Sequence, residues 1–194
     1  HTGTTLFIAG DWTNNDVFNC GTGTVEFIGN GAADQLVTTG GTGAGHQFYH
    51  VTVNNGATHD TVTIVDALDV RGDLLVEDGT LDLSTNDVAV LLGGSIDIIN
   101  EGWYEPASTA LLTFDGTGSA TWGDHNTVAG VSFGNVKIDG TGKTVTMSSN
   151  FQVWTIEIAV GNELAAGAYY ITFTDSAGTG ASRPFRIYGS FDAG

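Results

Sequence analysis

The sequence predicts an all-β fold, a β-solenoid or parallel β-helix, and three observations carry that expectation. The chain is rich in glycine and poor in proline. Its apolar residues alternate in short runs. Two longer spacings, of about 20 and about 85 residues, run along it and agree with each other.

The 194 residues are 41% hydrophobic and 14% charged, enough to bury a core and too apolar for disorder. Among many Val, Ile, Phe and Thr, 29 glycines against 2 prolines describe short strands joined by tight turns. The 22 acidic and 5 basic residues give a net charge of −17. The simplest reading is a solvated acidic surface, with cation binding as its rival. Such a surface repels nucleic acid and anionic membrane, and no apolar stretch is long enough for a spanning helix. Neither nucleic acid binding nor membrane insertion is therefore expected. Cys20 is alone, so no internal disulfide can form, and a small buried thiol is expected there. The opening His1, without Met, fits a processed or excised segment.

The alternation is clearest in Leu68-Asp69-Val70, Leu74-Leu75-Val76, Leu81-Asp82-Leu83, Val88-Ala89-Val90 and Ile96-Asp97-Ile98. Apolar residues at every second position mark strands with one buried face. Arg71-Gly72, Asp78-Gly79 and Gly93-Gly94 supply the bends. The longest helical candidate, Ile158 to Ala168, is interrupted by Gly161 and Gly167.

The shorter of the two long spacings joins Phe27, Phe48, Leu68, Val88, Leu111, Phe133, Phe151, Ile171 and Phe191. Three strands of about seven residues would complete one coil, and about nine coils stacked at the strand spacing would make a rod of about 45 Å. The longer spacing relates Val25-Glu26-Phe27 to Leu112-Thr113-Phe114, Phe48 to Val53 to Phe133 to Ile138, and Thr61 to Ile64 to Thr144 to Met147, at offsets of 87, 85 and 83. Four coils of about 21 residues would give about 84, so residues 1–194 are expected to form one solenoid with an internal duplication, 1–104 and 105–194. The alternative is two tandem β-sandwich domains split near Glu105-Pro106. Against it stand the absence of a Cys-Trp-Cys core, the absence of a linker and the shortness of the strands.

A third pattern occurs in Leu6 to Trp12, Val90 to Ile96 and Phe185 to Phe191, so the chain is expected to open and close in the same element. A stacked coil has an open edge at each end unless it is capped, and no capping helix is legible. Either the segment comes from a longer array or subunits stack head to tail, which without closure generates a filament.

Gly10-Asp11-Trp12-Thr13-Asn14-Asn15, Gly21 to Phe27, Phe48 to Asn55 and Gly79-Thr80-Leu81-Asp82-Leu83 resemble repeat segments of large secreted prokaryotic surface proteins of the adhesin-like and autotransporter-like β-helix kind. The resemblance spans nearly the whole chain and is closer in its first half. It implies an extracellular or cell-surface location and a role as stalk, adhesin or fibre. It carries over no catalytic residue.

The chemistry points the same way. Lyase action on acidic sugars needs clustered cations, and Arg71, Lys137, Lys143, Arg183 and Arg186 are scattered. Glycosidase action needs paired carboxylates, for which Asp69 and Asp82 are candidates, but their alternating positions are read as outward-facing solubility. No catalytic site is expected. His46 and His50, four apart with His59 nearby, would lie about 13 Å apart along a strand, too far for one metal ion. Calcium is the one candidate cofactor. Asp115 and Asp139 each open an Asp-Gly-Thr-Gly turn that offers carboxylate and carbonyl oxygens together. Trp103, Tyr104 and Trp122 are the candidate carbohydrate contacts, since aromatic rings stack on sugars. The expected function is that of an extracellular structural protein or surface adhesin module, self-assembling head to tail or stacking on neighbouring repeats. A carbohydrate-binding module recognising surface glycans, or a glycan-active β-helix enzyme, is the alternative.

Overall fold

The computed structural model of the chain describes residues 3–29, 34–56, 60–127, 131–174 and 185–194. They form a β-solenoid of about 7 turns of roughly 23 residues, with all strands parallel to their neighbours in the next turn and no helix.

Each turn visits three faces in a fixed order. The long face carries nine strands: β1 (Thr5–Ile8), β3 (Thr24–Phe27), β5 (His50–Asn54), β8 (Leu74–Asp78), β11 (Ile96–Asn100), β14 (Thr117–Asn126), β16 (Thr141–Met147), β19 (Glu163–Ala165) and β22 (Ser190–Asp192). The second face carries β2 (Trp12–Thr13), β4 (Gln35–Thr38), β6 (Thr61–Ile64), β9 (Thr80–Asp82) and β12 (Trp103–Glu105). It resumes, past an isolated bridge between Ser132 and Gln152, as β17 (Phe151–Val153) and β20 (Ile171–Phe173). The third face begins later, with β7 (Leu68–Val70), β10 (Val90–Leu92), β13 (Leu112–Phe114), β15 (Asn135–Ile138), β18 (Thr155–Ile158) and β21 (Phe185–Ile187). Eight steps of strand spacing along the long face make about 38 Å.

Alternation is what closes the tube. Inward residues line up turn on turn, as Leu68, Val90, Leu112, Val136, Ile156 and Phe185 do on the third face. On the long face the row is Leu6, Val25, Val51, Leu74, Ile96, Trp122 and Met147. All members of these rows but Leu6 and Phe185 are buried, and each buried aliphatic side chain contributes about 1.5–3 kcal/mol. Gln35 is the polar exception among the inward residues of β4. It is buried, yet its amide donates to the carbonyls of Ile8 and Gly10 at 3.0 and 2.6 Å and accepts from the Gly29 N–H at 3.1 Å.

The fold class matches the expectation, but the turns are fewer and longer than the expected nine of about 20 residues. Phe27 and Phe48 meet edge to face across the core, with ring centres 6.2 Å apart, but do not share a column. The ladder partner of Phe27 is Val53. The segments matched at 85 residues also lie on different faces: β3 resembles β13, β5 resembles β15, and β6 resembles β16. Each pair is separated by three turns and two faces, so the likeness is between strands and not between whole turns. The thrice-repeated pattern divides similarly. Its second and third copies turn the corner from third to long face, and its first turns from long to second face.

That corner between third and long face is built of glycine backbone stacked on backbone. A Cβ on Gly93 would overlap the Arg71 carbonyl, one on Gly116 the Gly93 carbonyl, and one on Gly140 the Gly116 carbonyl. Only a residue without a side chain lets successive turns approach so closely.

Candidate functional site

The acidic residues do more than solvate the surface. The Asp11 carboxylate accepts the Leu36 N–H at 2.9 Å, Asp34 that of Thr61 at 2.9 Å, and Asp73 that of Ser95 at 2.8 Å. Asp66 accepts from Thr39 at 2.9 Å and Gly40 at 2.7 Å. Each bond reaches the adjoining turn. Asp87 is the fullest case: it takes the Thr109 hydroxyl, the Thr109 N–H at 2.7 Å and the Ala110 N–H at 3.2 Å. The Thr109 hydroxyl above all, then these two N–H groups, holds its carboxyl well below the usual range. A depressed carboxylate contributes stability that is present above the unfolded-state value near pH 4 and is lost as pH falls through the folded-state value. Asp87→Ala is therefore expected to lower the melting temperature at pH 7, with the gap to the parent protein closing below about pH 4. A gap that persists unchanged in acid would show that the carboxylate charge is not what clasps the turns.

The two carboxylates singled out for calcium, Asp115 and Asp139, sit at equivalent corner positions of successive turns, just beyond the paired residues Phe114 and Ile138. Lysines face both. Lys137 Nζ lies 2.6 Å from Asp139. Lys143 is 1% exposed, and its ammonium donates to the Gly93 carbonyl at 2.6 Å, two turns back. Burial holds this lysine below its usual value, against the pull of Asp115 and Asp73. Burial, aided by Asp69, also raises the Asp115 carboxyl. Among the described residues, no group of three or more His, Cys, Asp or Glu could hold a metal ion.

His46 and His50 do not share a strand: His46 lies in the turn before β5 and His50 opens β5. His46 Nδ1 lies 3.2 Å from the Thr39 carbonyl, while His50 Nδ1 accepts the Asp73 N–H at 2.9 Å. His59 and Arg183 lie outside the described residues. Asp69 accepts the Gly43 N–H at 2.7 Å. The outward reading of Asp82 is corrected: it is 4% exposed and accepts bonds from Ser84 and Thr85 at the bend after β9. Cys20 is buried, as expected of a lone thiol.

A cluster that sequence spacing could not show lies on the outer long face. His125 bends back over Gly123. Its Nδ1 lies 2.8 Å from Asp97 on one neighbouring strand, and its Nε2 lies 3.1 Å from the Ser148 carbonyl on the other side. Both partners are acceptors, so the arrangement is fully bonded when the imidazole is doubly protonated. With Nε2 facing a carbonyl, the ring holds no free lone pair with which to activate the Ser148 hydroxyl, which donates to the Trp122 carbonyl at 3.3 Å. The cluster works as a clasp across three turns. The hydrogen bond to Asp97 raises the imidazole pKa, against some desolvation, with the charges of Asp97 and nearby Asp124 adding to it. A raised histidine contributes stability that is complete below about pH 6.5 and is lost as pH rises through the folded-state value. His125→Gln is expected to lower the melting temperature at pH 5.5 and to have a smaller effect at pH 9. An equal effect at both would remove the charge from the account.

The aromatic candidates for sugar contact need correction. Tyr104 is 2% and Trp122 0% exposed, so neither ring has a face to offer. Trp122 lies among Phe151, Phe133 and Phe114, with ring centres 4.0, 5.3 and 5.5 Å away. Trp103 is half-buried against the core. The exposed large rings sit elsewhere, in Phe7 on β1 and in Tyr169, Tyr170, Tyr188 and the phenylalanines of the last turn.

At that end, Phe173, Phe185, Ile187 and Phe191 occupy inward positions, paired with the buried Val153, Ile156, Ile158 and Leu164. They are nevertheless 36 to 45% exposed. Phe185 touches both neighbouring rings, with centres 5.7 Å from Phe173 and 5.5 Å from Phe191. Among the described residues no helix is long and apolar enough to cross a membrane. No family model, curated protein or solved structure matches the chain.

Proposed function

We propose that the protein is an extracellular structural module, a stalk or surface adhesin segment that associates with further copies of itself head to tail. The observation that supports this reading is the last turn, where four inward apolar side chains stand open above columns that are elsewhere closed. Among the described residues, β20, β21 and β22 end their sheets there and are each paired on one side only. A second copy supplies both missing partners, apolar cover and a strand. The filled interior, with its stacked rows and turn-to-turn carboxylate bonds, suits a role carried by stiffness and by surfaces.

Electron microscopy of the purified protein tests this. Filaments one solenoid wide, lengthening with protein concentration, are the expected result. Discrete short particles at every concentration would remove self-assembly and leave a spacer.

Carbohydrate binding is the second reading, and a cleft of about 160 Å³ on the second face favours it. Tyr170, 64% exposed, stands there beside Asp124, Gln152 and Thr172. An aromatic face with hydrogen-bonding groups around it is the equipment for a neutral sugar ring. Glycan-array binding that Tyr170→Ala abolishes, with no filaments, would make this the primary function.

A further inference from the structure

We infer that the cleft beside Arg71 is a binding site for a small monocarboxylic acid with an apolar body, anchored by the Arg71 guanidinium. This goes beyond the structural reading and does not depend on how copies meet.

The third face has regular strands only from β7 onward. In the first two turns the loops after β2 and β4 stand in its place. Between these loops and Arg71 lies a cleft of about 450 Å³, a size within the range of small-molecule sites. Its walls are tied together by the chain itself. The Gly45 carbonyl accepts the Phe18 N–H and the Asn14 side-chain amide, both at 2.8 Å, and so joins one loop to the other. Asp69 accepts the Gly43 N–H at 2.7 Å and so joins the second loop to β7. Val17 and Ala44 line the cleft from opposite loops, and the lining is mostly apolar. Val17 is 74% exposed, so its methyl groups are free to meet a ligand.

Charge decides what those walls take. Lys137 pairs with Asp139 and Glu157, Arg186 pairs with Glu157, and Lys143 donates to the Gly93 carbonyl. Of the described lysines and arginines, Arg71 is the one whose side chain has no hydrogen-bond or ion-pair partner, in a chain with 22 acidic residues. Asp69 and Asp73, two residues to either side, are engaged by the Gly43 and Ser95 N–H groups. A guanidinium offers a carboxylate two parallel N–H donors, a stronger bond than neutral groups make. The apolar lining favours a hydrocarbon body over a sugar ring. The net charge of −17 disfavours an acidic polymer, since each further carboxylate adds repulsion.

Titration followed through the backbone amide NMR spectrum tests this, with phenylacetate as probe, phenylacetamide as its neutral isostere and galacturonate as an acidic sugar. Phenylacetate should shift the amides of residues 19–22 and 44–47 to saturation, and should slow alkylation of Cys20, which also lines the cleft. Phenylacetamide should bind about tenfold more weakly or worse, and Arg71→Gln should weaken phenylacetate by a similar factor. Arg71→Lys keeps the charge without the planar fork and should fall between. Val17→Ser should weaken acid and amide alike. Arg71 and Val17 are both exposed, so each variant should melt with the parent protein. Equal binding of phenylacetate and phenylacetamide, or phenylacetate binding unchanged in Arg71→Gln, would overturn the role of the guanidinium. Galacturonate binding more tightly than phenylacetate would overturn the apolar acid as the ligand class. No saturable shift with either acid would remove the site.

Discussion

Gly140→Ala is expected to destabilise the protein by about 3 kcal/mol, lowering the melting temperature by about 6–12 °C. The added Cβ would fall on the Gly116 carbonyl oxygen of the turn below, which is backbone and cannot swing aside. It would also crowd Lys143 Cβ, 2.9 Å away. Relief requires the two turns to separate at this corner, and that loosens the ladders on both flanking faces. Gly10→Ala is the control, because nothing lies within 4 Å of its added Cβ and its backbone is not left-handed. A Gly140→Ala protein that melts with Gly10→Ala and the parent would mean that the corner is softer than the stacked glycines imply.

Trp122→Ala is the other large effect, at about 3–5 kcal/mol. The indole fills the tube where Phe114, Phe133 and Phe151 converge, and its removal opens a void that rings held by the second and third faces cannot close. Trp122→Phe should cost far less, about 1–2 kcal/mol, because most of the ring volume is kept. The indole N–H is buried without a hydrogen-bond partner, so phenylalanine forfeits no such bond. Chemical denaturation of the three proteins checks the order. Were Trp122→Ala as stable as Trp122→Phe, and deficient only in binding a glycan, the ring would belong to a site and not to the core.

The burial of Trp122 was in fact legible. Alternation from Ala120 places it inward, and the same rule places Tyr104 inward between Trp103 and Glu105. Strand character was readable throughout because it depends on neighbours two residues apart. Coil length was not, because it depends on corners. On the third face, Leu68 to Val90 spans 22 residues and Ile156 to Phe185 spans 29, and the few glycines that stack where a turn completes are hidden among the 29 in the chain. Functional neighbours separated by one turn were likewise hidden. Nothing in the Asp115-Gly116-Thr117-Gly118 turn announces that Lys143 descends into it. Nothing around His125 names Asp97 or Ser148. The tempting local signal was a calcium turn; the structure brings lysines to it.

The stepping of similar strands from face to face bears on how the chain finds its fold. A segment like β3 packs as well on the third face as on the long one, since β13 does so with nearly the same pattern. A nascent turn begun one face out of phase would therefore still bury its apolar residues, and the hydrophobic effect alone would not reject it. Rejection falls to the corners, where the Gly93, Gly116 and Gly140 stack and the two-turn reach of Lys143 fit one phase only. These few residues give the winding its frame of reference, and the uniform strands between them supply the adhesion.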